Sequence, residues 1–569
     1  MNINEKYNSW IQNVKDEELL NELKSIGNND QEIYDRFYSE LTFGTAGLRG
    51  ILGAGSNRMN IYTVKRAAQG LANYLNKKYI NPSIAIAFDS RIKSDLFASE
   101  AAKTLAANNI KVYISKELQP TPVLSFAVRE LKCQSGIVIT ASHNPAEYNG
   151  FKCYGDDGCQ MTDFSADEVY EEIEQVNIFS DVTTCDFNHG LETNLIEYIS
   201  NDLYEKYLEK VLEQVINKNI CKNYNLKIVY TPLNGAGNKL VREILKRVGV
   251  ENIIVVPEQE KPNGNFDTCK YPNPEVKEAL ELAINLAKKT NSDLVLATDP
   301  DSDRVGIAIN VDGEFKLLSG NEVGILLTDY ILSCRKKNNS LPENGVIVKT
   351  IVTSDLIEKI ALKYGCTLKN VLTGFKYIGE QILNLEKNNQ QDKFIFGFEE
   401  SYGYLAGSYV RDKDAVVASM LICEMIAFYQ HQNKNLFDRL NEIYKEYGFY
   451  KNVTLNYNFK GSAGMQKMSQ IMDNLRKNPL TDFAGLNVKK IYDFKVSKIF
   501  DKDYKEIDTI KLPISNVLKY EIDENDSVII RPSGTEPKIK AYITMVGENN
   551  LHCENKIKEM SDYLDLILK

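Results

Sequence analysis

Short apolar strands that alternate with helices along most of the chain predict an α/β protein with largely parallel sheets. Two further observations shape that prediction. The alternation restarts twice, near Leu226 and near Gly345, and the texture changes at about Phe459 to a separate α+β module. At 569 residues the chain is too long for one ordinary core, and length alone suggests three to five domains.

Residues from Asn4 to about Leu41 read as helical, charged and amphipathic, and the glycine-rich Phe43-Gly44-Thr45-Ala46-Gly47-Leu48-Arg49-Gly50 comes next. A helix at about Tyr62 to Lys77 leads to the buried strand Ser83–Phe88, which ends at Asp89-Ser90-Arg91. A helix from Leu96 to Asn108 and the strands Lys111–Ser115 and Gly136–Thr140 continue the pattern. The second pass uses Leu226–Tyr230, Ile253–Val256 and Asp293–Ala297; the third opens at Gly345–Thr350 and holds Phe394–Ser401. The oily stretch Val416–Tyr429, interrupted by Ser419 and Glu424, is shorter than a membrane span and predicts a buried helix. The last module ends in a helix near Glu554–Leu568.

Hydrophobic content of 43% and charged content of 26% are those of a soluble globular protein. A formal charge of −10 gives no basic footprint, which argues against general nucleic-acid binding. The polar start MNINEKYNSW shows no signal-peptide pattern. Ten cysteines without CxxC pairs, beside four histidines, favour reduced thiols in the cytoplasm over a disulfide framework or a zinc site.

Two motifs carry the chemistry. In Thr140-Ala141-Ser142-His143-Asn144-Pro145 a hydroxyl follows a strand, and the proline restricts Asn144 to extended geometry, so the turn is sharp and Ser142 can project. No GxSxG elbow surrounds it, which weakens a Ser-His-Asp hydrolase reading. In Asp299-Pro300-Asp301-Ser302-Asp303-Arg304 three carboxylates alternate after an apolar strand. An EF-hand fails there, because Arg304 stands where glycine is needed and Asn310 where a bidentate glutamate is needed. Together the motifs suggest phosphoryl transfer through a phosphoserine beside a hard cation, since phosphate is doubly anionic and suits oxygen-bound metal.

Other segments fit the same chemistry, although each also reads as an ordinary loop. Gly397-Phe398-Glu399-Glu400-Ser401 offers acceptors for sugar hydroxyls. Arg531-Pro532-Ser533-Gly534-Thr535-Glu536-Pro537-Lys538 offers a forked cation, hydroxyls and freed amides for a phosphate. Arg49, Lys152, Thr373-Gly374-Phe375-Lys376, and Arg411 with Lys413 add positive charge. Ligands of open α/β sheets collect outside strand carboxyl ends, where the three central motifs sit.

With TASHNP and its following YNGFK, DPDSDR, GFEES and RPSGTEPK in this order, the sequence resembles the α-D-phosphohexomutase family over nearly its whole length. The GFEES form and the FGTAGLRG start are similar to its phosphoglucomutase/phosphopentomutase branch. The resemblance implies three related α/β domains and a smaller C-terminal α+β domain around a central active-site cleft, at about 1–215, 216–330, 331–452 and 453–569. It implies Ser142 as phosphoserine and metal ligand, with Asp299, Asp301 and Asp303 binding Mg²⁺. Glu399 and Ser401 would hold sugar hydroxyls, while Arg531, Ser533, Gly534 and Thr535 would grip the phosphate that is not reacting. Arg49, His143, Lys152, Arg304, Thr373, Gly374, Lys376, Arg411 and Lys413 complete the expected site. Phe398 and Gly534, the latter where many relatives have asparagine, depart from the family pattern and bear on sugar preference.

The implied activity is reversible conversion of glucose 1-phosphate and glucose 6-phosphate through glucose 1,6-bisphosphate. A phosphopentomutase, a phosphomannomutase, a non-catalytic sugar-phosphate binder and a phosphatase are the alternatives. The partners are then small sugar phosphates, not nucleic acid or membrane, for a cytoplasmic monomer or weak homodimer. Lys152 or His143 is the candidate base, and a hinge near residues 448–460 is expected to close RPSGTEPK over the site.

Overall fold

The computed structural model describes residues 2–44, 47–459, 461–522, 525–534 and 538–569, with the backbone alone at 461–463. The chain divides into two compact units, Met1–Gly320 with Phe375–Gln432, and Asn321–Gly374 with Asn433–Lys569. No helix among the described residues is long and apolar enough to cross a membrane.

The first unit opens with three helices, Ile3–Asn13, Glu17–Ser25 and Asp30–Phe37, where the sequence suggested one amphipathic stretch. The breaks have a local cause. Asp16 and Asn29 accept hydrogen bonds from Leu19 and Glu32 N–H, satisfying donors that a new helix leaves orphaned. The apolar faces form their own small core around Trp10, Leu23 and Phe37.

The first sheet runs Gly47–Ile51, Tyr148–Gly155, Ser135–Ile139, Ser83–Phe88, Lys111–Ile114, Ile196–Tyr198. Its last four strands are parallel, and the first two are antiparallel additions at one edge. That edge matters, because its register places Gly47 opposite Lys152 and Arg49 opposite Gly150. The helix Ile61–Lys78, capped by Asn60 with Thr63, packs its alanine- and leucine-rich face on this core.

The second sheet runs Glu314–Leu318, Val305–Val311, Leu294–Thr298, Lys227–Thr231, Asn252–Val255. Its last three strands are parallel, as the sequence predicts, and its first two are antiparallel additions at the other edge. Leu294–Thr298 is buried at every position, as expected of a continuous apolar run inside an α/β layer. The unit also holds the hairpin Phe394–Glu399 with Gly403–Ala406, and the helix Ala415–Gln430, which is buried almost throughout as expected. Phe398 stacks with Phe396 and Tyr404 at 5.5 and 6.2 Å, on the strand face opposite Glu399.

In the second unit Val346–Thr350 lies parallel to Thr367–Val371. Beyond it is a seven-stranded antiparallel sheet, in the order Phe449–Asn458, Lys538–Gly547, Ser527–Pro532, Leu518–Glu521, Lys490–Asp493, Lys498–Asp501, Glu506–Thr509. Helices Gly461–Lys477 and Asn550–Leu568 accompany it, an α+β module as predicted. The segment 448–460, where the hinge is expected, is mostly one strand. Phe449–Asn458 pairs along its whole length with Lys538–Gly547, and a ten-residue ladder resists bending. Gly448, at φ 101°, is the departure from regular structure at its start.

Candidate active site

The nucleophile loop begins where Ser135–Ile139 ends. Ser142 takes φ 52°, a left-handed conformation that a serine adopts only under outside constraint. The constraint is visible. Ser142 N–H donates to Thr140 Oγ1 at 2.7 Å, and Thr140 Oγ1 donates to Asp89 Oδ2 at 2.6 Å. The buried Arg91 guanidinium donates to the carbonyls of Ser142 (2.6 Å), Asn144, Pro145 (2.9 Å) and Tyr148 (3.0 Å). Arg91 also pairs with Asp89 at 3.5 Å and lies over the Phe266 ring. Burial pushes the Asp89 carboxyl up, against the pull of Arg91.

The acidic loop meets this hydroxyl. Ser142 Oγ donates to Asp299 Oδ2 at 2.8 Å and lies 3.1 Å from His143 Nδ1. One carboxylate oxygen from each of Asp299, Asp301 and Asp303 lies within 4.8 Å of the others, and all three residues are buried. Lys152 Nζ reaches Asp301 at 2.9 Å and Asp303 at 3.9 Å, and Lys413 Nζ reaches Asp303 at 3.1 Å. Arg304 pairs with Asp303 at 3.7 Å and Glu275 at 2.6 Å.

Backbone carbonyls also fix the acidic loop. Thr121 N–H donates to Asp301 O (2.8 Å), Ala236 N–H to Pro300 O (2.8 Å), and Ala415 N–H to Ser302 O (3.3 Å). The approach at Pro300 requires Gly235, since a Cβ there would sit 2.4 Å from Pro300 Cα.

Charge favours a cation. This connected group holds five carboxylates (Asp299, Asp301, Asp303, Glu275 and Asp412) against three cations, Lys152, Lys413 and Arg304. Burial and the neighbouring Asp301 and Asp303 push the Asp299 carboxyl well up. Asp301 is held low despite its burial, because Lys152 bonds it. Burial works against Lys413, yet Asp303 and Asp412 raise its ammonium above the ordinary value. Asp301 Oδ1 and Asp303 Oδ1 are buried without a hydrogen-bond partner among the described residues. Two orphaned carboxylate oxygens in an oxygen-only set with excess negative charge fit a hard divalent cation.

Several predicted residues converge here: Ser142, His143, Lys152, Asp299, Asp301, Asp303, Arg304 and Lys413 form one bonded group. Arg49 joins through Asn144 Oδ1 at 3.4 Å, and the Glu399 carboxylate acts electrostatically on Arg304 and Lys413. Ser401 lies in the turn after Glu399. Lys376 is bonded instead to Asp163 at 2.5 Å, and buried Arg411 to Glu386 at 2.5 Å and to the Ser408 carbonyl. Thr373, Gly374, Arg531, Ser533 and Gly534 belong to the second unit. There Arg531 is the penultimate residue of the strand Ser527–Pro532, and Ser533 N–H donates to Lys538 O at 2.7 Å. Thr535 lies outside the described residues.

Sequence reasoning missed Asp89, Arg91, Thr121 and Thr140 as supports of the site. The signal was present for two of them, since Asp89-Ser90-Arg91 directly follows an apolar strand.

A hydroxyl poised on an acidic trio, at the carboxyl ends of parallel strands, defines an α/β protein built for oxygen-ligated metal and phosphate chemistry. The sequence matches the α/β/α domains I, II and III described as phosphoglucomutase/phosphomannomutase, at residues 40–178, 205–313 and 319–447. The chain belongs to the phosphoglucomutase/phosphomannomutase family, within the α-D-phosphohexomutases. It is 38% identical over 518 residues to a phosphoglucomutase of Staphylococcus haemolyticus, covering 90% of this chain and 92% of that one. A phosphoglucomutase of Staphylococcus saprophyticus is 36% identical over 544 residues, covering 95% and 96%. Among solved structures, parafusin of Paramecium in its open form superposes with a TM-score of 0.68 at 18% identity, covering 93% of this chain and 97% of that one. A family protein of Burkholderia thailandensis gives 0.66 at 18% identity, covering 92% and 97%. These structures support the fold: three α/β domains followed by a strand-rich C-terminal domain.

Proposed function

We propose that this chain interconverts glucose 1-phosphate and glucose 6-phosphate, with Ser142 as the phosphate carrier. The observation that carries the reading is the contact of Ser142 Oγ with Asp299 inside the buried acidic trio. The names of the relatives at 36–38% identity support the same activity.

In the proposed cycle a free sugar hydroxyl attacks the phosphorus of phospho-Ser142. The new phosphorus–oxygen bond to sugar forms as the bond to Ser142 Oγ breaks, giving glucose 1,6-bisphosphate. The sugar hydroxyl loses its proton to a base, and Ser142 Oγ leaves as the hydroxyl once protonated. His143 is the base and acid that fits, since its Nδ1 faces Oγ while Lys152 is engaged by Asp301 and Asp303. The bisphosphate then turns and returns its other phosphate to Ser142. Lys152, Lys413 and Arg304 contribute fixed positive charge, and Arg91 keeps the loop in its left-handed pose.

Asp299, Asp301, Asp303 and Ser142 would hold Mg²⁺, which when bound stabilises charge on the transferring phosphoryl oxygens. Glu399 and Ser401 receive sugar hydroxyls, and Arg531, Ser533, Gly534 and Thr535 the distal phosphate. Arg49 takes part in catalysis, and Thr373, Gly374, Lys376 and Arg411 belong to the substrate-binding set. Four domains at about 1–215, 216–330, 331–452 and 453–569, a central cleft, a cytoplasmic location and a monomeric or weakly dimeric state complete the proposal.

A ³¹P NMR time course with glucose 1-phosphate, Mg²⁺ and a trace of glucose 1,6-bisphosphate tests it. Conversion to glucose 6-phosphate without net phosphate release is the expected outcome. Faster turnover of ribose or mannose phosphate would move the assignment to those sugars.

A further inference from the structure

The second unit contains a cavity of about 320 Å³ that the proposed chemistry does not use. One wall comes from the strand Val346–Thr350 and the turn after it, with Lys349, Ile351 and Asp355. The other comes from the antiparallel sheet, with Tyr492, Phe494, Lys511 and Lys519. Ile499 and Leu512 add apolar surface. Lys349 is buried, its ammonium held by Thr353 O at 2.9 Å and Asp355 at 2.8 Å, and Lys519 stands 3.8 Å from the same carboxylate. Lys349 and Lys519 flank Asp355, and Lys511 adds a third ammonium to the lining. A phosphate monoester carries about two negative charges, which matches the surplus. The aromatic and aliphatic lining suits an organic body, and the volume is within the range of small-ligand sites.

We propose that this cavity is a regulatory site for a small organic phosphate, with the anion between Lys511 and Lys519 and its body against Tyr492 and Phe494. The location gives it leverage. Lys519 pairs in register with Ile529, and its neighbour Leu518 with Ile530, one residue before Arg531. An occupant ties the segment Val346–Asp355 to the strand beside the one that presents Arg531. Resting on the mutase reading, in which the Arg531 loop grips and releases a phosphate each cycle, occupancy slows turnover without competing for sugar phosphate.

Calorimetry of the full chain with phenyl phosphate, against inorganic phosphate, tests binding without any need for turnover, with glucose 1,6-bisphosphate present at saturation. One saturable site that prefers phenyl phosphate is expected, weakened by about tenfold or more in K511E/K519E. The single K511E, at an exposed position, serves if the double variant fails to fold. Phenyl phosphate should lower kcat of the wild type with KM unchanged, and leave K511E/K519E, whose own rate is normal, unaffected. Absence of saturable heat, equal affinity in wild type and variants, or a rise in KM alone overturns the proposal.

Discussion

Replacing Arg91 tests whether the left-handed serine is held from outside or is stable by itself. The guanidinium serves four carbonyls of the nucleophile loop and is the paired cation of buried Asp89. Arg91→Met leaves a buried carboxylate without its cation, a change that costs about 3–5 kcal/mol in stability. Arg91→Lys restores charge opposite Asp89, but three ammonium donors cannot span four carbonyls in that geometry. Its expected cost is about 1–3 kcal/mol, the penalty for one buried acceptor left unsatisfied. Because Ser142 then loses its fixed pose beside Asp299, kcat for glucose 1-phosphate should fall by about 10²-fold in Arg91→Lys. KM should stay within about a factor of three, since Arg91 is buried away from substrate. Urea unfolding gives the first number and a coupled assay the second. An Arg91→Lys enzyme with wild-type kcat would falsify the clamp.

Ser142→Ala should abolish turnover and labelling by glucose 1,6-bisphosphate while leaving unfolding by urea within about 1 kcal/mol of wild type; phosphate appearing at another residue refutes the carrier role. Asp301→Asn removes one of the orphaned oxygens' carboxylates, so thermal stabilisation by added Mg²⁺, about 2.7 kcal/mol at a hundred times Kd, should shrink, which calorimetric scans with and without chelator measure. Phe398→Leu leaves the Glu399 side of its strand untouched; it should cost about 1 kcal/mol or more in stability, with the ratio of glucose to ribose phosphate turnover unchanged. Burial pushes the thiols of Cys133 and Cys269 up to about 11. Unfolding lets them ionise near their ordinary value, so the unfolded chain sheds protons first as pH rises. Their contribution is complete below about pH 8.5 and is lost towards 11, and Cys133→Ala should flatten the decline in stability across that range.

The strands were legible because parallel-sheet interiors demand unbroken apolar runs, as in Leu294–Thr298 and Ser83–Phe88. The acidic trio was legible because alternate carboxylates after such a run have few structural uses. The antiparallel edges were not, since Gly47–Ile51 and Tyr148–Gly155 carry glycines and a lysine that read as loop. Their strand character comes from a partner about a hundred residues away in sequence. The three-helix start was blurred for another reason: Asp16 and Asn29 look like solvated residues until their capping bonds are seen. Arg91 illustrates the general limit, because its place after an apolar strand is visible in the sequence while the four loop carbonyls it binds are not.

The acidic loop also explains how chain-distant motifs are brought to one place without relying on their reactive groups. Asp301 O receives Thr121 N–H, Pro300 O receives Ala236 N–H, and Ser302 O receives Ala415 N–H, while Val305 N–H donates to Tyr402 O at 3.1 Å. Four segments are thereby pinned to the loop by its main chain. Those bonds survive any change of an aspartate side chain, whereas the carboxylates themselves crowd negative charge that the fold alone does not neutralise. An isosteric Asp→Asn change therefore relieves repulsion and keeps the frame, so loss of activity in such a variant reports on ion and phosphate chemistry and not on collapse of the site. The trio stays in a buried position, at an electrostatic cost, because the frame around it holds the acids where a cation and a phosphoserine can meet.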